Sequence, residues 1–223
     1  MLLAIDTSTR VTGVALYDGV HVLGESVWSG GNYHTVELAP AIAQLMERVR
    51  VKVSDLEVLA VATGPGSFTG LRIGLALAKG LALARHLPMI GIPTLDVLAL
   101  GQTVRENGIL AAVLRAGRGR LAVGWYHEVN SAWQINGQFE VLPIEALGRR
   151  MQRPTLVCGE LTEEERRLLG RKRVNVILAS PAQSLRRPSF LAELAWRRWE
   201  AGQLDDPTSL SPIYLHHDAP IPG

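Results

Sequence analysis

Apolar and polar positions along this chain change period several times. Residues 2–5 and 12–17 are apolar runs that read as strands, Asp18-Gly19 is a two-residue hairpin signal, and residues 20–28 return beside them. Over residues 35–49 the period lengthens. Leu38, Ile42, Leu45, Met46 and Val49 fall at helical spacing, and Pro40 must lie in the first turns or kink the helix. Residues 56–62 read as a short buried strand, 69–85 as a helix and 89–92 as another strand. Pro93-Thr94 then opens a helix over 95–105.

The same order begins again in the second half. Residues 109–114 and 121–126 are strands around a Gly/Arg turn, and a third strand is predicted near 133–141. Residues 143–151 are helical, 155–158 and 174–178 are short strands around a helix at 162–169, and 190–201 form a helix with Leu191, Leu194, Ala195 and Trp199 on one face. The tail from 205 is Pro-rich and predicted to run extended over the surface. A hairpin-first sheet followed by crossover helices, twice over, predicts a duplicated α/β architecture with one lobe at 1–106 and a second, with the tail, at 107–223.

Between the strand at 56–62 and its helix lies Thr63-Gly64-Pro65-Gly66-Ser67-Phe68-Thr69-Gly70-Leu71-Arg72-Ile73-Gly74. Glycine reaches backbone angles closed to other residues and lets another group come close to the main chain. The free N–H groups at a helix start favour an anion or a carbonyl. The segment is therefore built for close approach by a ligand or by another backbone, with a plain strand-to-helix turn as the bland alternative. Within the helix, Gly70, Gly74 and Ala78 form one stripe of small residues, and interior glycines cost about 1 kcal/mol each relative to alanine. Their retention predicts a closely packed helix, either residues 35–49 of this chain or a helix of another subunit.

Bulk composition narrows the function classes. The chain has 223 residues, 47% hydrophobic and 20% charged, which fits a folded protein, and a net charge of +2 gives no strong overall field toward nucleic acid. The charge is uneven: residues 105–223 carry Arg149-Arg150, Arg166-Arg167, Arg171-Lys172-Arg173, Arg186-Arg187 and Arg197-Arg198, which read as solvated faces or as a patch for RNA. One cysteine, Cys158, excludes an internal disulfide and fits a reducing cytoplasm. No signal peptide or membrane-spanning run is read.

Candidate chemistry is sparse. Asp6-Thr7-Ser8-Thr9 ends the first strand with a carboxylate and hydroxyls, a pattern that either cradles phosphate beside a hydrated cation or caps its own turn. At the corresponding strand end of the second half stands Arg115, which would repel a divalent cation and pair instead with phosphate or an acid. The six histidines, His21, His34, His86, His127, His216 and His217, include no i, i+4 pair on a helix, so no metal site is predicted. Ser67 lacks the Gly-x-Ser-x-Gly setting of a nucleophile elbow, and the loop lacks the Gly-Lys-Ser/Thr ending of a P-loop.

Leu3-Ala4-Ile5-Asp6-Thr7-Ser8-Thr9, His34 with Leu38-Ala39-Pro40, the glycine segment 64–74, Ala78-Lys79-Gly80-Leu81-Ala82, Gly91-Ile92-Pro93-Thr94-Leu95-Asp96 and Pro212-Ile213-Tyr214-Leu215 together resemble the TsaB (YeaZ) family. This family is the non-catalytic part of the bacterial tRNA threonylcarbamoyladenosine machinery. The resemblance is dense over 1–100 and thin over 105–205. It implies the actin/Hsp70/sugar-kinase-like fold, a duplicated, ribonuclease H-like two-lobe α/β architecture. It implies a scaffold role in placing threonylcarbamoyl on N6 of adenosine 37 in tRNA, with metal, nucleotide and transfer chemistry belonging to a TsaD-like subunit whose His-x-x-x-His pair this chain lacks. The implied partners are that TsaD-like subunit, a TsaE-like P-loop ATPase, tRNA through the complex, and a second copy of the chain when alone. The implied interface residues are His34, Leu38, Ile42, Leu45, Phe68, Thr69, Gly70, Arg72, Ile73, Gly74 and Leu77. No catalytic residue and no required cofactor are expected. Asp6, Thr7, Ser8, Gly64, Gly66 and Ser67 form a vestigial nucleotide cradle, with ATP or ADP bound weakly or at an interface. Arg115 departs from the acid usual in the family, which removes a second-lobe ligand. The alternative is an autonomous ATP-dependent transferase or a peptidase of the same fold, working through Asp6, Ser67 and Thr69.

Overall fold

The computed structural model describes residues 1–30, 34–117, 119–171 and 174–215. In the first sheet, β1 (Leu2–Asp6), β2 (Val11–Tyr17) and β3 (Val22–Ser29) form an antiparallel meander. Strands β4 (Val58–Gly64) and β5 (Met89–Pro93) add in parallel beyond β1, giving the order β3-β2-β1-β4-β5. In the second, β6 (Ile109–Arg115), β7 (Arg120–Val129) and β8 (Ala132–Ile135) repeat the meander. Strand β9 (Glu140–Pro143) shares the outer edge of β7 with β8, and β10 (Thr155–Gly159) and β11 (Val176–Leu178) add in parallel beyond β6. Apart from β9, the orders are the same, so the duplication read from the sequence is a duplication of topology. The predicted single strand near 133–141 is two strands, because the chain turns at Gly137 with φ of +88°.

Alternation sorts each sheet's residues onto two buried faces. Leu3, Ile5, Leu16, Leu59 and Val61 pack under α1 (His34–Val49) and α2 (Phe68–Arg85). Leu2, Ala4, Ala15, Val58, Ala60 and Ile90 face the other way. In the second sheet Ala111, Val113, Leu121 and Val157 lie under α4 (Ile144–Arg150) and α5 (Glu163–Gly170). Two further helices cross between the lobes. Helix α3 (Thr94–Leu100), from the first half, packs Leu95, Leu98 and Ala99 on the second sheet, while α6 (Pro188–Glu200) packs Leu191, Ala192 and Ala195 on the first. The two helices also touch each other. Each lobe's inner layer is therefore supplied by the other half of the chain, and the parallel strands are covered on both faces as such strands require. Helix α3 ends at Leu100 rather than 105, and Gln102 turns back to donate to the carbonyls of Leu98 and Gln183. Among the described residues no helix is long and apolar enough to cross a membrane.

Candidate functional site

The carboxyl ends of the parallel strands of both sheets converge on one cleft, the position where open α/β sheets bind ligands. Its cavity, about 850 Å³, is lined by Thr9, Arg10, Val11, Ser67, Thr69, Arg115 and Glu160. Asp6, at the end of β1, lies beneath it, 2% exposed. One carboxylate oxygen accepts the N–H of Ser8 at 2.8 Å, closing a local turn. The other accepts from Nε of Arg186 at 2.9 Å.

Arg186 is 4% exposed and binds four groups from both lobes. Besides Asp6, its guanidinium donates to Glu160 at 2.6 Å, to Oγ1 of Thr9 at 2.8 Å and to the carbonyl of Val11 at 3.0 Å. Thr9 in turn donates to Glu160 at 2.6 Å. Burial works against the charge on Arg186, but Asp6 and Glu160 outweigh it and hold the guanidinium's pKa above its ordinary value. Two carboxylates and a hydroxyl, gathered as a divalent cation would need them, thus already surround a cation covalently part of the chain. Reading Arg186-Arg187 as a solvated pair is corrected here: Arg187 is half-exposed and pairs with Glu25 on the surface, while Arg186 turns inward. Nothing local in the sequence signals this, since Asp6 lies 180 residues away.

The glycine segment makes its close approach within the chain. The Ser67 N–H donates to the carbonyl of Ser8 at 2.6 Å. A Cβ on Gly66 would stand 2.2 Å from that same carbonyl oxygen, one on Gly70 2.2 Å from the Thr7 carbonyl oxygen, and one on Gly74 2.3 Å from Oγ1 of Thr7. The Thr7 hydroxyl donates to the Gly70 carbonyl at 2.7 Å. Ser8 and Thr94 share a 2.8 Å hydroxyl contact, and Thr94 accepts from the Gly64 N–H at 3.1 Å. Ser67 caps α2, its hydroxyl accepting from the Gly70 N–H at 3.3 Å. The six cradle residues, Asp6, Thr7, Ser8, Gly64, Gly66 and Ser67, are therefore brought together, and most of their polar groups are committed to one another or to Arg186. Of the two approaches the loop could serve, the structure has another backbone, the β1–β2 turn. The stripe of Gly70 and Gly74 meets Thr7 rather than a helix. Arg115 takes the acid option, pairing with Glu165 at 2.5 Å. Cys158 is fully buried, which pushes its thiol up to about 12 and leaves it unreactive. Among the described residues no group of three or more His, Cys, Asp or Glu could hold a metal ion.

Helices α1 and α2 also carry a second apolar face. Leu38, Ile42 and Leu45 point into the core beneath α1, and Gly70 and Gly74 are buried against Thr7, so none of these five presents itself to a partner as the sequence reading supposed. The His34 side chain lies outside the described residues. What faces out is Val36, Ala39, Pro40 and Ala43 on α1, at i, i+3, i+4, i+7, and Ala76, Gly80 and Leu83 on α2, while Ile73 and Leu77 between them are half-buried and pack partly against the core. Val36 is 66% exposed and Leu83, farther along α2, 80%. At the start of α2, Phe68, Thr69 and Arg72 are exposed. There Arg72 lies 3.7 Å over the Phe68 ring and donates to the Tyr214 hydroxyl at 2.9 Å, while Tyr214 stacks on Phe68 at 5.2 Å. The Ile213 N–H donates to the Thr63 carbonyl at 2.7 Å, so the tail straps the glycine segment.

The family model described as TsaD, tRNA N6-adenosine threonylcarbamoyltransferase, matches residues 23–147. The tRNA threonylcarbamoyladenosine biosynthesis protein TsaB of Bacillus subtilis (strain 168) is 32% identical over 222 residues, covering 96% of this chain and 93% of that protein. YeaZ from Pseudomonas aeruginosa superposes with a TM-score of 0.79 at 26% identity, over 96% of this chain and 99% of that one. The ethanolamine utilization protein EutJ from Carboxydothermus hydrogenoformans, at a TM-score of 0.51 and 15% identity over 86% of this chain and 88% of that one, shares the actin-like fold alone.

Proposed function

This chain belongs to the TsaB family of tRNA threonylcarbamoyladenosine biosynthesis proteins, and from that premise we propose that it is the docking subunit of that machinery, without transfer chemistry of its own. The observation that carries the reading is the outward apolar face of α1 and α2. A surface helix normally buries one stripe and solvates the other; contiguous apolar surface left outside marks a place for another protein. The small side chains Ala39, Ala43, Ala76 and Gly80 let a partner's helices come near, and Val36 and Leu83, with the exposed edges of the half-buried Ile73 and Leu77, supply the apolar area. The partner is a TsaD-like catalytic subunit, joined by a TsaE-like P-loop ATPase, with tRNA bound through the assembly in the cytoplasm. Alone, the chain pairs with a second copy through the same face. Arg186 in the cleft supports the absence of a required cofactor and leaves ATP or ADP to a weak or interfacial site.

Co-expression with a TsaD-like subunit and size-exclusion chromatography tests this. The pair elutes together, and Ala76→Arg, on the exposed face, separates it at micromolar concentration without shifting the melting temperature of the chain alone. Two separate peaks for the unmodified pair would overturn the docking reading. Sub-millimolar ATP–Mg binding by the isolated chain would favour the autonomous transferase instead.

A further inference from the structure

Of the arginine clusters of the second half, Arg186 serves the cleft, whereas Arg149-Arg150 and Arg171 are used neither by the cleft nor by the α1/α2 face. Two cavities lie side by side at the far end of the second sheet. The first, about 530 Å³, is walled by Asn107, Trp125, His127, Asn136, Arg150 and Arg153 among others. The second, about 370 Å³, holds Arg149 and Arg171, and Gln152 lines both. They sit at the amino ends of β6 and β10, whereas the cleft lies at their carboxyl ends. Five to seven strand residues separate them, roughly 20 Å at 3.3 Å per residue. The outward face of α1 and α2 is on the other lobe, so a partner docked there leaves this end open.

Charge accounting in this region is one-sided. Arg150 pairs with Glu140, which also accepts from Trp125 Nε1 at 2.6 Å. Glu128, the only acid in the two cavity walls among the described residues, accepts backbone N–H groups of Asn107 and Ser131. The side chains of Arg149, Arg153 and Arg171 form no ion pair among the described residues. In the wall of the larger cavity, Nδ1 of His127 is buried without a hydrogen-bond partner, beside the half-exposed Trp125 indole. Arg153 in the aromatic-walled cavity, with Arg149 and Arg171 in the adjoining one, sets unpaired guanidinium groups beside a mixed polar and aromatic wall, which matches a polyanion whose units carry a planar base. An acidic peptide would meet the arginines but leave the aromatic wall and amide groups unused.

We infer that this end of the second lobe is an RNA-contact surface: Arg149, Arg153 and Arg171 hold the phosphodiester backbone and one nucleotide enters the cavity beside Trp125. The inference rests on the reading that the chain works in an assembly acting on tRNA. It places a direct contact on this subunit, away from the partner face.

The test is salt-dependent binding of labelled tRNA to the full chain, read by anisotropy. Each lost phosphate contact lowers the slope of log K against log[salt] by about 0.7 to 0.9. Combined Arg149→Gln, Arg153→Gln and Arg171→Gln therefore reduces it by roughly 2 to 3. Combined Arg48→Gln, Lys52→Gln and Arg85→Gln, which removes equal charge from the first lobe, leaves it within about 1 of the parent value. Quenching of tryptophan fluorescence by tRNA falls in Trp125→Phe if the base enters the cavity. Equal loss in both triple variants would overturn the inference as bulk electrostatics, and so would retained affinity in the second-lobe triple. Co-elution of each variant with the TsaD-like subunit is measured in parallel. Intact co-elution with an unaltered slope rejects this surface alone, whereas absent co-elution of the parent rejects the docking reading alone.

Discussion

Replacing Arg186 with methionine keeps much of the side-chain volume and removes the cation from beneath the cleft. Asp6, 2% exposed, and Glu160 would then face each other's charge without compensation, and the Val11 carbonyl would lose its donor. Removing one member of a buried ion pair costs roughly 3 to 5 kcal/mol, because the other charge stays desolvated. For a chain of this size each kcal/mol corresponds to about 2 to 4 °C, so Arg186→Met lowers the melting temperature by roughly 6 to 20 °C. Urea unfolding followed by circular dichroism, alone and combined with Asp6→Asn, separates the charge effect from simple loss of packing. The double variant recovers part of the loss, with a coupling of at least about 1 kcal/mol, since the stranded carboxylate is gone. A loss under about 1 kcal/mol for Arg186→Met, or a double variant at the sum of the two singles, would refute the idea that this guanidinium is the resident cation of the cleft.

Gly70→Ala should destabilise by about 2 kcal/mol despite a better helix propensity, because the new Cβ meets the Thr7 carbonyl oxygen at 2.2 Å and backbone cannot step aside; urea midpoints measure it. Gly80→Ala, with nothing within 4 Å of its Cβ, should instead stabilise the same helix by about 0.5 to 1 kcal/mol. Asp96 is partly buried and accepts from the Tyr126 hydroxyl at 2.6 Å; desolvation raises its pKa above 3.8, and the hydroxyl offsets only part of the rise. A carboxylate whose folded pKa exceeds its unfolded one binds its proton more tightly when folded, so its contribution falls as pH climbs from the unfolded to the folded value and is flat above. Asp96→Asn should therefore gain stability relative to the parent across that window, read as a melting-temperature difference that grows from pH 4 upward and then levels; a pH-independent difference would contradict the burial effect.

The repeated order of strands and helices was legible because period and apolar runs restart at Ile109, and the fold class follows from that order. Periodicity could not tell which sheet α3 and α6 cover, because Leu95 and Leu98 or Leu191 and Ala195 would suit either apolar face. The extra strand edge near Gly137 was hidden because one glycine in a polar stretch does not show its sign of φ. Asp6, Thr7, Ser8 and the glycine segment were legible as one constellation, since carboxylate, hydroxyls and glycines flank strand ends. Their actual counterpart was not: Arg186 reads like any basic pair, and only tertiary contact with Asp6 and Glu160 makes it buried. The same holds for α1, where Leu38, Ile42 and Leu45 dominate the hydropathy pattern while the outward set, Val36, Ala39, Pro40 and Ala43, is built from small residues that barely register.

Corresponding strand ends of the two lobes carry opposite charges, Asp6 on β1 and Arg115 on β6, and each is neutralised from within, by Arg186 and by Glu165. A metal–nucleotide seeking Asp6 would have to displace a guanidinium held by four hydrogen bonds. If unpairing costs roughly 3 to 5 kcal/mol, affinity falls by about two to four orders of magnitude relative to a cleft with a free carboxylate. The glycines cannot compensate, because the backbone they admit is already that of Thr7 and Ser8. The fold thus keeps the geometry of a ligand cleft while spending its polar groups on joining two lobes, and a rigid body of that kind is suited to holding the outward faces of α1 and α2 in fixed relation. Calorimetric titration of Arg186→Met with ATP–Mg, against the parent chain, tests whether the guanidinium weakens ligand binding: the variant should bind at least tenfold more tightly, and equal affinities would refute that role for Arg186.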